Sequence, residues 1–287
     1  MNIRFCTFLT VVSLVLEVLL AGAASAGRLA SNTNFDDRDI DKSLGHPETW
    51  IIAYNQKNRP YTYYEAKGLF ETGLQPVFPD GVYCPPISSP YGSQTRYDGS
   101  FRKNPWYGYH NGMDISLEPG TPLISVADAK VIHKGSAGRL IGNYIWLHLA
   151  PDATELPIHI FTRYQHLDKP SPLNIGDTVK AGDDIGSAGA TGTTGGHFGA
   201  FRYSHLHLVF YTGPNADVTP YRHYLKPRTL NYLDPMGLYL DKSLGIVTNR
   251  GLRNLPSNKK IVPVSVRKTD GNMVPEGSKL IWPVACQ

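Results

Sequence analysis

Three clusters in the sequence combine imidazole, carboxylate and glycine at spacings that can build a reactive site: HNGMDIS (110–116), RYQHLD (163–168) and SHLHLVF (204–210). Imidazole nitrogen and carboxylate oxygen are the usual nitrogen and oxygen ligands of zinc. In an extended chain side chains alternate, so His205 and His207 share one face about 7 Å apart by strand rise, and Leu206 and Leu208 face the core. His110 and Asp114 are four residues apart, but Gly112 lies between them, which predicts a turn entering a strand and not a helix face. Two nitrogens and a carboxylate from distant segments leave a fourth tetrahedral position for water, as a catalytic zinc requires. Two further histidines then transfer protons or hydrogen-bond the developing oxyanion. Spacing alone does not decide which three of His110, Asp114, His166, His205 and His207 hold the metal.

Competing chemistries lack their signatures. The Gly-rich stretch at 186–200 has no Gly-Lys-Ser/Thr ending and precedes a strand, so it does not cradle phosphate. No Gly-x-Ser-x-Gly elbow marks a serine nucleophile. His46, His133, His148, His159 and His223 stand outside the clusters and read as structural or surface residues.

The elements that must position these groups follow from composition and pattern. The chain has 287 residues, of which 28 are Gly, 22 Pro and 17 Tyr, so short aromatic-rich strands joined by turns are expected. From Val82 the runs at 122–135, 142–150, 158–167, 175–189 and 204–211 are rich in Val, Ile, Tyr or Phe and bounded by turn residues. Their separations are too short for crossover helices, which predicts a mainly β fold with an antiparallel sheet and long loops. Residues 27–81 form an N-terminal extension with a short helix around Tyr61 to Phe70. Residues 82–235 form the motif-bearing domain, and 236–287 a C-terminal extension whose segments 260–266 and 279–285 are expected to pair as strands.

Residues 1–26 read as an export signal: Arg4, an apolar run from Phe5 to Leu20, then small residues ending at Ala26. The expected location is periplasmic or secreted, with no stable membrane association once the signal is removed. Cys84 and Cys286 then remain in an oxidising compartment, and a bridge between them is expected. The formal charge of +4 is mild and forms no Lys/Arg run, so nucleic acid is not a partner.

The clusters, in this order, resemble the lysostaphin-type (LytM-like) zinc metallopeptidases, which cut peptide bonds in peptidoglycan. The resemblance runs from about Val82 to Pro235 and rests on five matches. These are His-x-Gly-x-Asp at 110–114, Gly-Thr-Pro at 120–122, Tyr-x-His-Leu at 164–167, Gly-Asp-x-Val-x-x-Gly at 176–182 and His-Leu-His at 205–207. It implies one zinc per chain held by His110, Asp114 and His207, with His166 and His205 as the catalytic pair and peptidoglycan stem or cross-bridge peptides as substrate. The alternative is a binding or regulatory protein on the same fold that controls another wall hydrolase; such proteins typically lack ligands, and here all five polar positions are present. One departure stands out. The family's short Thr-Gly link leads almost directly into His-Leu-His, whereas here twelve residues separate Gly192 from His205, and the insertion 193–204 is expected to remodel the substrate groove.

Overall fold

Eight β-branched and aromatic runs pair into one sheet. In the computed structural model, which describes residues 61–97, 99, 109–138, 141–193, 203–226 and 230–287, its strands are β1 (Ile87–Ser89), β2 (Met113–Ser116), β3 (Ala129–Ala137), β4 (Gly142–Leu149), β5 (His159–Leu167), β6 (Thr178–Val179), β7 (His205–Gly213) and β8 (Asn231–Leu233). The hydrogen-bonded order is β1-β2-β7-β5-β4-β3-β6, and β8 pairs with β7. Every pairing in this sheet is antiparallel, as the short connections predict. The export signal at 1–26 and most of the insertion at 193–204 lie outside the described residues; Thr193, Tyr203 and Ser204 are described. Among the described residues no helix is long and apolar enough to cross a membrane.

Alternation decides what each face of the sheet meets. Met113 and Ile115 of β2, Leu206, Leu208 and Phe210 of β7, and Ile145, Leu147 and Leu149 of β4 point to one side and join a single core cluster. Each such side chain removed from water contributes roughly 1.5–3 kcal/mol. The cluster is closed by Leu123 and Ile185, from the paired strands Pro122–Ile124 and Asp184–Ser187, and by Trp282, Val284 and Cys286. On the opposite face Tyr144, Trp146 and Phe161 build a smaller cluster with Ile141 and Leu225. With the main face committed to hydrocarbon, His205 and His207 are left on this second face.

The flanking segments pack on the same core. A short helix, α1 (Tyr61–Ala66), forms where the amphipathic stretch predicts one, and Leu74 beyond it joins the main cluster. The expected pairing of 260–266 with 279–285 does not form. Ile261–Pro263 instead pairs in parallel with Gln75–Val77, and Val266–Arg267 pairs with Met273–Val274. The later segment runs beside residues 124–126, where Ile281 N donates to Val126 O at 2.8 Å and Ile124 N to Pro283 O at 2.9 Å. Contact between the two expected partners is the bond from Trp282 N to Ser265 O at 2.8 Å. Each segment's backbone groups are taken up by its own partner, Gln75–Val77 for the first and residues 124–126 for the second, which leaves little for a ladder between them. Cys84 and Cys286 are bridged, as expected from sequence, with their Cα atoms 4.6 Å apart.

Candidate metal centre

Register brings the 110–116 and 204–210 clusters together. β2 and β7 pair with Asp114 opposite His207 and Ser116 opposite His205. His110 lies just before β2, and its backbone is fastened to Ser93 and Gly92: His110 N donates to Ser93 O at 3.0 Å and Gly92 N to His110 O at 2.7 Å. Gly112 is required by the site itself. A Cβ there would meet Cε1 and Nε2 of His207 at 2.8 Å and Leu208 O at 2.7 Å, so the middle of His-x-Gly-x-Asp is the floor on which the second imidazole rests.

Three ligand atoms converge. His110 Nε2 is 3.0 Å from His207 Nδ1 and 3.2 Å from Asp114 Oδ1, and His207 Nδ1 is 2.7 Å from the same oxygen. All three residues are buried, and their ligand atoms lie within 4.8 Å of one another. Bonds of 2.0–2.1 Å to a tetrahedral zinc would set neighbouring ligand atoms about 3.3 Å apart, so this triangle needs to open only slightly to hold the ion. The protonation pattern agrees. Pro90 O can only accept, so His110 Nδ1, 3.0 Å away, carries the proton and Nε2 keeps its lone pair toward the site. Burial pushes the Asp114 carboxyl up, but the neighbouring imidazoles of His110, His205 and His207 outweigh it and hold the group well below the usual carboxylate range. The donor set and its state therefore fit a divalent metal.

The 163–168 cluster arrives by a backbone irregularity. Between β4 and β5 the register passes from Ile145↔Tyr164 to Asn143↔Leu167, so Gln165 and His166 together oppose Tyr144. Simple alternation from Tyr164, which faces the core, would send His166 into hydrocarbon. This bulge turns it instead onto the second face, at φ +63°, where its ring centroid is 4.6 Å from that of His205 and 5.9 Å from that of His207. His166 Nδ1 donates to Thr191 O at 2.8 Å. Thr191 is pinned in turn, donating from Oγ1 to Leu167 O at 2.6 Å and accepting from Asn143 N at 2.9 Å. Burial and the neighbouring imidazoles of His205 and His207 press the His166 imidazole well below its ordinary pKa, against the Thr191 carbonyl and Asp114. His205 Nδ1 donates to Tyr203 O at 3.1 Å, and its Nε2 lies 3.7 Å from Asp114 Oδ1. Both histidines thus hold a proton on Nδ1 and present the Nε2 lone pair.

All five residues singled out by sequence meet in one buried cluster. His133, His148, His159 and His223 do not join it. His133 hydrogen-bonds Tyr144 Oη at 2.9 Å and His148 pairs with His159 at 2.8 Å, while His223 O accepts from Trp146 Nε1 and Arg163 Nη1. His46 lies outside the described residues. The reading of individual histidines missed the groups that hold them: Pro90, Thr191 and Tyr203. Of these only Thr191, in the Thr-Gly link, carried a sequence signal.

Comparison with known proteins bears on the same segment. Residues 108–218 match peptidase family M23. An uncharacterized metalloprotease of Haemophilus influenzae is 32% identical over 130 residues, 45% of this chain and 23% of that protein. The peptidoglycan DD-endopeptidase ShyC of Vibrio cholerae is 31% identical over 101 residues, 35% of this chain and 20% of that protein. The chain thus spans about a quarter or less of the length of these two relatives. Among solved structures, the catalytic domain of lysostaphin from Staphylococcus simulans aligns at 24% identity over 53% of this chain and 86% of that one, with a TM-score of 0.33. All five polar positions of the cluster fall inside the segment that matches peptidase family M23.

Proposed function

We propose that the protein is an exported zinc metalloendopeptidase that hydrolyses peptide bonds in peptidoglycan stem or cross-bridge peptides. The observation that carries this reading is the convergence of His110 Nε2, Asp114 Oδ1 and His207 Nδ1 on one buried point, with two more imidazoles beside it. Zinc held at that point would supply a water of lowered pKa and a Lewis acid for the scissile carbonyl. The chain's own residues do the rest. His110, Asp114 and His207 are the ligands, and Asp114 contributes the negative charge that favours a cation in a buried site. His166 and His205, each with Nδ1 committed to a backbone carbonyl, take up a proton at Nε2 and return it to the departing amine, and in the protonated form they hydrogen-bond the oxyanion. The peptidoglycan substrate is supported by the named activity of the Vibrio cholerae relative.

The test is incubation of purified protein with wall sacculi, zinc-loaded and chelator-treated. New amine ends are expected in the zinc-loaded sample and none after chelation. A zinc-loaded sample that releases no amine sinks the reading.

A further inference from the structure

The Cys84–Cys286 bridge lies under one side of a groove with a volume of about 750 Å³. Tyr83 and Pro85, which flank the first cysteine, line that side together with Ala285 and Gln287, which flank the second. The backbone there is fastened twice more. Tyr83 and Gln287 exchange N–H···O bonds of 2.8 Å in both directions, and Thr269 N donates to Cys286 O at 2.9 Å. The opposite side is continuous with the reacting cluster, since it is lined by Ser116, Tyr203 and Ser204. Ser116 is the register partner of His205, and the Tyr203 ring stacks on the His205 ring with centroids 4.4 Å apart and planes 22° from parallel. Tyr203 is itself held by Ser116 Oγ at 2.5 Å, Ser88 Oγ at 2.6 Å and the ring of Tyr97 at 4.2 Å.

We propose that this groove is a substrate subsite, binding the peptide on one side of the scissile bond, and that its far wall is built by the disulfide-held segment 285–287 with Thr269 and not by the sheet. The inference rests on the peptidase reading above. The lining chemistry suits a peptide: hydroxyls and one amide for backbone groups, with the rings of Tyr83 and Tyr203 as apolar surface. Glu118 is the only charged side chain lining it among the described residues, so the groove favours a neutral or cationic segment over one bearing a free carboxylate.

The test fills the groove from its far wall. Thr269 has an exposed side chain and bonds Cys286 through its backbone, so Thr269→Trp adds bulk without removing a tie. With normal zinc content and circular dichroism, this variant is expected to raise KM about tenfold with kcat within about twofold, the pattern of lost uniform binding. Binding is read separately in a zinc-loaded His166→Ala background, using two synthetic stem-peptide analogues that differ in one α-carboxylate, free or amidated. The amidated analogue should bind more tightly, Thr269→Trp should weaken it, and Glu118→Lys should reverse the preference. Unchanged Kd and KM in Thr269→Trp, or analogue preferences insensitive to Glu118→Lys, overturn the subsite. A parent protein that binds the analogues with this pattern but cleaves neither them nor sacculi overturns the peptidase reading and leaves the groove standing; one that binds neither analogue overturns the groove.

Discussion

The chemistry of single residues sets the narrowest tolerances. Gly112 has no side chain because His207 occupies the space where one would be, 2.8 Å from the ideal Cβ position. Gly112→Ala must therefore displace the imidazole or the Leu208 carbonyl. We expect it to weaken metal binding by about 10- to 100-fold, as loss of a ligand-orienting group does, with far-UV circular dichroism unchanged. Elemental analysis after dialysis against a graded chelator reads this directly, and parental occupancy across the series would refute the floor role of Gly112. His207→Ala removes a ligand and should strip metal and activity together. His166→Ala and His205→Ala should behave differently, keeping metal while turnover falls roughly a hundredfold to ten-thousandfold, since the proposed mechanism gives them proton transfer and not metal ligation. Near-parental kcat in either variant would remove that residue from the mechanism.

Elements succeed here by where they end and where they break register. β5 serves two masters, with Tyr164 in the core and His166 in the site, and the bulge between them makes both possible. Tyr164 is a pin in this arrangement. Its buried hydroxyl donates to Ile124 O at 3.1 Å and accepts from Val126 N at 3.1 Å, tying the sheet to the short strand that covers the core. Tyr164→Phe leaves a carbonyl and an amide without that partner in a dry interior, which costs about 1–3 kcal/mol. Thermal unfolding should shift down by about 2–4 °C for each kcal/mol, while the metal stays bound. A melting temperature within 1 °C of the parent, a limit well inside about one such increment, would mean that water or a backbone shift replaces the hydroxyl.

Across the whole molecule the flanking segments and the sheet share one core, and a buried carboxylate records that union. Asp234 accepts from Met236 N at 2.9 Å and from the hydroxyl of Thr72, far away in sequence. Burial raises its carboxyl to about 6, more than those two hydrogen bonds lower it. With the folded pKa above the unfolded value of about 3.9, the native state binds the proton more tightly. The stability this contributes is complete below about pH 4 and is lost as pH rises through 6. Asp234→Asn can keep both contacts, because its oxygen accepts from Met236 and the Thr72 hydroxyl can turn to accept from its amide. Comparing metal-free parent and variant by urea unfolding, we expect the difference to move in the variant's favour by on the order of 3 kcal/mol between pH 4 and pH 8. A difference independent of pH would show that Asp234 is not the group responsible.

Sequence by itself determined the antiparallel β class, the alternation that puts Leu206 and Leu208 inward and His205 and His207 outward, the five polar residues, and the cysteine pair. These follow from local rules, since side-chain direction in a strand is fixed by a period of two and Gly112 announces a close approach. Tertiary structure decided what depends on partners distant in the chain. Whether His166 faces core or site turns on a one-residue bulge against β4, and bulges leave no reliable mark in a run such as HIFTRYQHL. The tail segments found other partners than each other because Gln75–Val77 and residues 124–126, both distant in the chain, take up their backbone groups. Tyr203, two residues before His205, became the ring that stacks on it because Ser88, Tyr97 and Ser116 converge there only when β1 and β2 pair, and no local pattern encodes that meeting.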